Sequence, residues 1–193
     1  MKKLILLTTA VCFLLAGFVI AQESKYYTNT LYFDKVTAKP GEHFAVNVYL
    51  FNTDTLAGMQ VPTFYRSEKI DIYCDSVSFA GSRCEYMMFR DVKIPEDDKV
   101  VYFSFINTIN PNKLIDPLPP GDGLIATIYF TAPDNCDEGT VKLARGMIPH
   151  PHISFIFAVW NMTGNELDSD FEESEIIIKT DKSWFSRLFG IFK

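Results

Sequence analysis

Few side chains in this sequence combine the type and spacing that catalysis or metal binding requires. The 193 residues contain three histidines, and two of them, His150 and His152, flank Pro151. Alternate positions of a strand face the same way, so this spacing permits chelation, but the pair lacks a third ligand. A solvated loop is the simpler interpretation. Because Gly-x-Ser-x-Gly elbows, His-Glu-x-x-His motifs and phosphate-binding glycine loops are absent from the sequence, we expect no enzymatic activity.

A run of carboxylates is the second candidate for metal binding. Asp168, Asp170, Glu172 and Glu173 offer oxygen ligands of the kind that calcium prefers. The run lacks the glycine-turned loop of an EF-hand, and an acidic surface explains it more simply. The sequence therefore predicts no cofactor, with calcium left open.

Residues 1–21 have the three-part layout of a secretory signal peptide. Lys2 and Lys3 precede an apolar run, and Ala21 supplies the small residue at the cleavage position. An uncleaved membrane anchor is the alternative, but the run is short for a span of about 20 apolar residues. We expect cleavage, and hence a secreted protein that is extracellular, at the cell surface or in the periplasm.

The charge of the chain is acidic and uneven. The formal net charge is −6, and residues 22–178 hold 12 basic against 23 acidic residues. Proteins that bind nucleic acid present basic surfaces, so we expect no nucleic-acid partner. Residues 179–193 reverse the balance, with four basic residues and one acidic residue.

Three cysteines, Cys74, Cys84 and Cys136, remain after residue 21. Export makes disulfides possible, and Cys74 and Cys84 are close enough in sequence to close a hairpin. The alternative is that all three are small, buried, unpaired residues. The sequence does not decide between these two interpretations.

Alternating apolar residues predict strands throughout residues 25–178, which we expect to form one domain. Residues 99–106 are apolar on both faces, which indicates a central strand. Pro62 lacks an N–H donor, so its strand is predicted to lie at an edge or to be bulged there. Short strands separated by Pro, Gly, Asn and Asp indicate a β-sandwich or barrel. The expected strands are 29–36, 43–51, 58–65, 70–79, 86–89, 99–106, 123–130, 139–143, 153–159 and 173–178.

Two segments carry a family resemblance. In the first, Lys39–Glu42 forms a turn before an alternating strand, and Asn52–Gln60 follows with Asn-Thr-Asp-Thr-Leu-Ala-Gly-Met-Gln. The second is Pro117–Phe130, which contains Gly-Asp-Gly-Leu-Ile-Ala-Thr-Ile-Tyr-Phe. In this order, the two segments resemble a cohesin domain. The resemblance implies an all-β jelly-roll sandwich of about nine strands, related to carbohydrate-binding modules of families 2 and 3.

The resemblance also implies a function. Cohesins are non-catalytic modules that bind dockerin-type proteins across one sheet face, in extracellular or cell-surface assemblies. By strand order, we expect that face to draw on residues 64–75 and on the loop at 107–112. The predicted partner-binding residues are Phe64, Tyr65, Tyr73, Asp75, Asn107, Asn110 and Asn112.

The aromatic residues suggest a different binding function. Tyr49, Tyr102, Tyr129 and Trp160 are candidates for stacking on the sugar rings of a polysaccharide. The competing interpretation of the tyrosines is the second apolar face of a two-sheet sandwich. A subunit for envelope assembly or adhesion is a more remote alternative.

The C-terminal residues 179–193 form a basic amphipathic tail. Helical spacing over residues 182–193 places the large apolar side chains on one side, and Lys182, Arg187 and Lys193 on the other. Three surfaces can receive such a stripe: the sandwich itself, an anionic membrane or a groove on a partner. The apolar set is Trp184, Phe185, Leu188, Phe189, Ile191 and Phe192.

Overall fold

The computed structural model describes residues 25–87, 89–95, 98–107, 116–148 and 155–180. Within these ranges every regular element is a β-strand, which confirms the predicted all-β class. The strands, in chain order, are β1 (Asn29–Phe33), β2 (Val36–Ala38), β3 (His43–Asn52), β4 (Leu56–Arg66), β5 (Tyr73–Ser78), β6 (Phe89–Lys93), β7 (Val100–Ile106), β8 (Gly121–Thr131), β9 (Gly139–Arg145), β10 (Met147–Ile148), β11 (Phe155–Ile156), β12 (Ala158–Asn161), β13 (Glu166–Leu167), β14 (Ser169–Phe171) and β15 (Ser174–Ile178).

Two sheets form a sandwich. The first sheet has the order β14-β1-β3-β8-β5. The second has the order β13-β12-β4-β9-β15-β2, with β7 paired to β4 and β6 paired to β7. The short strands β10 and β11 pair with each other as a separate two-stranded sheet. Most neighbours are antiparallel, but β1 runs parallel to β14 and β2 runs parallel to β15.

The inner faces follow the alternation of the sequence. In β3, every second side chain from Phe44 to Leu50 is buried in the core. In β7, Val101, Phe103 and Phe105 lie in the same core. The opposite face of β7 is also covered, since Tyr102 is only 4% exposed. Because β7 has β4 on one side and β6 on the other, the prediction of a central strand is confirmed.

The prediction that Pro62 lies on an edge strand is wrong. Its strand, β4, lies inside the second sheet and pairs with β7 on one side. On the other side β4 pairs with β12 up to Gln60 and with β9 from Thr63, so Pro62 lies at the change of neighbour. Its carbonyl accepts the N–H of Gly146 at 2.9 Å. The N–H that proline lacks would point to the same side, into this gap, where no ladder bond is lost.

The Gly-Asp-Gly segment at the start of β8 has a structural role. Gly121 and Gly123 have φ angles of 152° and 157°, which favour glycine. A Cβ at Gly123 would lie 2.9 Å from Cδ of Arg83, and one at Gly121 would lie 3.0 Å from Nη2. The glycines therefore leave space for the Arg83 side chain, which crosses over them.

Candidate functional site

A polar cluster on the first sheet contains a hydroxyl, an imidazole and a carboxylate, the groups found in a catalytic triad. Oγ1 of Thr131 donates to Asp75 at 2.7 Å and lies 2.6 Å from Nδ1 of His43. In a Ser-His-Asp arrangement the histidine lies between hydroxyl and carboxylate and removes the hydroxyl proton. Here the hydroxyl of Thr131 lies between His43 and Asp75, and it donates its hydrogen bond to the Asp75 carboxylate. The cluster therefore lacks the order that nucleophilic catalysis needs. The predicted pair His150 and His152 lies outside the described residues.

The described residues contain no group of three or more His, Cys, Asp or Glu placed to hold a metal ion. The acidic run proposed for calcium does not form such a group. One member, Glu172, instead pairs with Lys25 at 2.7 Å and accepts a hydrogen bond from Tyr26. These carboxylates are surface charges in the structure.

The predicted partner-binding residues do not share one surface, and that prediction needs correction. Phe64 lies half-buried on the outer face of the second sheet, whereas Tyr65 points into the core against Phe130, with ring centroids 5.2 Å apart. Burial raises the pKa of Tyr65 to about 12. The exposed Tyr73 and Asp75 belong to β5 at an edge of the first sheet.

The predicted loop contributes little to a surface among the described residues. Asn107 is 1% exposed, and its backbone N–H donates to the carbonyl of Ala57 at 2.7 Å. Asn110 and Asn112 lie outside the described residues.

The four residues predicted to stack on sugars are also divided. Tyr49 and Tyr129 lie on the first sheet, and Tyr102 and Trp160 lie on the second. Tyr102 is buried, so its ring is unavailable to a glycan. The four candidates therefore do not form one sugar-binding platform. Tyr129, which is 42% exposed, remains accessible.

Aromatic rings on the outer face of the first sheet cover one another. Tyr32 and Tyr49 stack with centroids 5.2 Å apart and an interplanar angle of 13°, and Tyr26 lies 5.0 Å from Tyr32. The hydroxyl of Tyr32 donates to Asp122 at 2.6 Å. Burial first, and then this hydrogen bond, raises the pKa of Tyr32. Since the rings face each other, this cluster is a poor platform for sugars.

Of the two interpretations left open by the sequence, the bridge between Cys74 and Cys84 is not formed: both are free thiols, as is Cys136. Cys74 pairs with Phe130 of β8, whereas the residue before Cys84 donates its N–H to the carbonyl of Leu124. Leu124 and Phe130 are about 20 Å apart along an extended strand. Disulfide-bonded cysteines have Cα atoms within about 7 Å, so the geometry excludes the bridge.

The outer face of the second sheet carries an exposed apolar row, which we define as Trp160, Gly58, Ile106 and Phe89. These residues are consecutive cross-strand partners on β12, β4, β7 and β6. Ile106 is 43% exposed and Phe89 is 37% exposed. A Cβ at Gly58 would lie 2.9 Å from the carbonyl oxygen of Phe105, so β7 approaches β4 too closely here for a side chain.

Polar and charged residues flank the apolar row. The next row towards the C-terminal end of β4 contains Gln60, Ser104 and Asp91. Beyond it, Nζ of Lys93 lies 3.5 Å from Asp91 and 5.7 Å from the ring centroid of Tyr102. An apolar centre with a polar rim is typical of protein–protein interfaces. The outer face of the second sheet is therefore the best candidate binding surface.

Sequence reasoning missed the centre of this surface. Ile106 alternates with Tyr102 and Ser104, out of phase with the buried Phe103 and Phe105, so its outward position was readable from β7 alone. Its alignment with Phe89 and Trp160 depends on strand order, which the sequence does not reveal locally.

Comparisons with known proteins identify the fold. The seventh ScaB type I cohesin from Pseudobacteroides cellulosolvens superposes with a TM-score of 0.60 at 12% identity, over 82% of this chain and 96% of that chain. The fold is cohesin-like. A non-cellulosomal cohesin from the archaeon Archaeoglobus fulgidus gives a TM-score of 0.58 at 13% identity, over 83% of this chain and 98% of that chain.

A further solved structure is a complex. The third cohesin of ScaC from Acetivibrio cellulolyticus, bound to a ScaB dockerin, has a TM-score of 0.59 at 12% identity, over 79% of this chain and 100% of that chain. No family model matches the sequence, and no curated protein matches it. The cohesin-like sandwich thus confirms the fold that the sequence motifs implied.

The terminal segments lie beyond this description. Residues 1–21, predicted as a signal peptide, and the apolar tail residues Trp184, Phe185, Leu188, Phe189 and Phe192 are outside the described residues. Among the residues that are described, none forms a helix long and apolar enough to cross a bilayer.

Proposed function

We propose that this protein is a non-catalytic binding module that docks a dockerin-type partner protein. The cohesin-like fold supports the proposal, because solved cohesins of this fold form complexes with dockerins. The lack of a catalytic order at His43, Thr131 and Asp75 agrees with a binding role.

The exposed apolar row is the observation that carries the proposal. It sets Ile106 between Phe89 and Gly58 on adjacent strands, with Trp160 on the far side of Gly58. Interfaces concentrate their binding energy in a few central apolar or aromatic side chains surrounded by a polar rim. We therefore assign the partner to the outer face of the second sheet.

The test uses dockerin domains from the source organism, immobilised as a panel and probed with the protein. Ile106→Asp places a charge at the centre of the face, and we expect it to weaken binding at least about tenfold, or about 1.4 kcal/mol. Tyr129→Asp is the matched control, because Tyr129 is equally exposed but lies on the opposite sheet. Equal binding by both variants would contradict the assignment to this face, and no retention on any dockerin would contradict the function.

A polysaccharide is the second candidate ligand, because the exposed Tyr129 remains accessible on the first sheet. Retention on insoluble cellulose or chitin that is lost in Tyr129→Ala and kept in Ile106→Asp would favour this candidate over the dockerin.

We also infer that the module acts outside the cytoplasm, after removal of residues 1–21. The basic start, the apolar run and Ala21 support this inference. N-terminal sequencing of the protein from the producing cells should give Gln22 as the first residue. A chain that retains Met1 or Lys2 would contradict cleavage.

A further inference from the structure

A groove of about 670 Å³ lies on the outer face of the second sheet, between β4 and β9. Its floor is the cross-strand pair Phe64 and Ala144, and its walls include Arg66 and Lys142, which are also cross-strand partners. The guanidinium of Arg66 lies 3.7 Å from the ring centroid of Phe64, so these two side chains stack on each other. The groove is therefore apolar at the base, with charged groups at the rim.

The described chain ends on the wall of this groove. After β15, the N–H of Lys179 donates to the carbonyl of Ala38 at 2.9 Å. The N–H of Thr180 then donates to Oε1 of Glu138 at 3.1 Å, and the Thr180 hydroxyl contacts the same carboxylate. Glu138 lines the groove. Residues 181–193 therefore continue from the rim of the groove.

The length of the tail matches the length of the groove. The spacing of residues 182–193 predicts a helix, and 12 residues of helix are about 18 Å long. The groove follows β9 from Gly139 to Ala144, which spans about 17 Å of extended strand. A helix this short is unstable alone in water, so its apolar side needs a surface. The groove is the apolar surface that begins where the tail begins.

We propose that residues 182–193 dock into this groove of their own chain, with the apolar side of the tail against Phe64 and Ala144. Lys182 and Arg187 then lie near the rim carboxylates Glu68 and Glu138. The rim also carries Arg66, Lys69 and Lys142, so net charge does not drive the contact. Apolar burial does, and the docking should therefore depend little on salt concentration.

The docked tail would lie beside the partner without overlapping it, a consequence that rests on the function proposed above. Gly58, in the apolar row, and Phe64, in the groove, are both on β4, about 20 Å apart. An interface of standard size covers about 800 Å² on each partner, which is roughly 28 Å across. A partner centred on the apolar row therefore extends about 14 Å from Gly58 and stops short of Phe64, so the docked tail leaves the partner's site open.

Tryptophan fluorescence tests the docking without any partner. The variant Trp160→Phe, in the chain starting at Gln22, leaves Trp184 as the single tryptophan. We expect its emission to be blue-shifted relative to the urea-unfolded chain and protected from acrylamide. Ala144→Lys in this background should shift the emission to the red and raise quenching severalfold. Ala45→Lys, the same change on the exposed outer face of the first sheet, should leave both unchanged.

Several results would overturn the proposal. One is a solvent-exposed Trp184 in the Trp160→Phe background, and another is an equal response to Ala144→Lys and Ala45→Lys. A blue shift that appears only with phosphatidylglycerol vesicles at low salt would assign the tail to a membrane. A blue shift that depends on protein concentration would assign it to a second copy of the chain. If Ala144→Lys loses cooperative unfolding, Leu188→Asp in the tail makes the same test without altering the sandwich.

The independence of the two sites is tested separately. Leu188→Asp, with Trp160 intact, should bind an active dockerin with the affinity of the parent chain. Severalfold tighter binding would show that the tail competes with the partner and would refute the independence, while leaving the docking. If no dockerin binds at all, the function fails, but the fluorescence result on the tail stands.

Discussion

Replacing Arg83 with alanine should destabilise the sandwich, because this half-buried side chain bonds to three backbone carbonyls. Nη1 of Arg83 donates to the carbonyls of Leu50 at 3.0 Å and Gly121 at 3.2 Å, and Nη2 donates to the carbonyl of Pro119 at 2.7 Å. The side chain thus joins β3 to the chain segment that enters β8. Alanine would leave three carbonyls without this donor.

The magnitude follows from the number of hydrogen bonds and from the burial of the guanidinium. A hydrogen bond to a charged group contributes about 1.5–3 kcal/mol to stability, so three give an upper limit of about 4.5–9 kcal/mol. Arg83 is half-buried, and water can replace part of what is lost. We therefore expect Arg83→Ala to lower the free energy of unfolding by about 2–4 kcal/mol.

Urea unfolding, followed by circular dichroism, measures this loss of unfolding free energy directly. In thermal unfolding, the Tm of a domain of this size should fall by roughly 4–15 °C. Arg90→Ala is the control, because Arg90 is exposed and reaches one carbonyl, that of Glu85, at 2.8 Å. Arg83→Lys should be intermediate, since an ammonium group lacks the planar fork. A loss below about 1 kcal/mol, or one no greater than for Arg90→Ala, would refute the reasoning.

Three further predictions concern packing and thiols. Gly146→Ala would place a Cβ 2.9 Å from the backbone carbon of Pro62, and it should cost about 1–3 kcal/mol in thermal unfolding. At pH 8 a disulfide reagent should modify Cys136 first, because burial raises the pKa of both Cys74 and Cys84 to about 12; rapid reaction of two thiols would contradict this. A thiol whose pKa is raised in the folded state contributes to folding stability below its unfolded pKa and loses that contribution as the pH rises to the folded pKa. The stability contributed by Cys84 should therefore be lost from about pH 9 towards 12. Cys84→Ala should make the free energy of unfolding fall less steeply over this range.

Much of the sandwich was predictable because alternation is a local signal. Residues 43–51 were expected as a strand, and β3 spans His43–Asn52 with the expected face buried. Residues 123–130 were expected, and β8 spans Gly121–Thr131. In both strands the alternation of apolar and polar side chains indicates which face packs against the core. This prediction requires no knowledge of the neighbouring strands.

Features that depend on strand order were harder to predict. Pro62 was assigned to an edge because a proline interrupts a ladder, but the sheet changes neighbour at that residue instead. Residues 153–159 were expected as one strand, whereas Phe157 separates β11 from β12. The predicted partner-binding face was wrong because it also depends on strand order. Tyr65 and Tyr73 are close in sequence, but one lies in the core and the other on a different sheet.

Strand β4 connects the stability of the sandwich to the shape of its binding face. Its inner side chains, including Met59 and Val61, are fully buried, and this burial fixes which residues point outwards. The outward positions include Gly58, where the backbone of β7 approaches too closely for a side chain, and Phe64, which forms the groove floor. Residues that weaken an isolated strand are therefore tolerated in β4 because its neighbours hold it. The outer face of β4 thus has a close backbone contact with β7 at one end and a groove at the other.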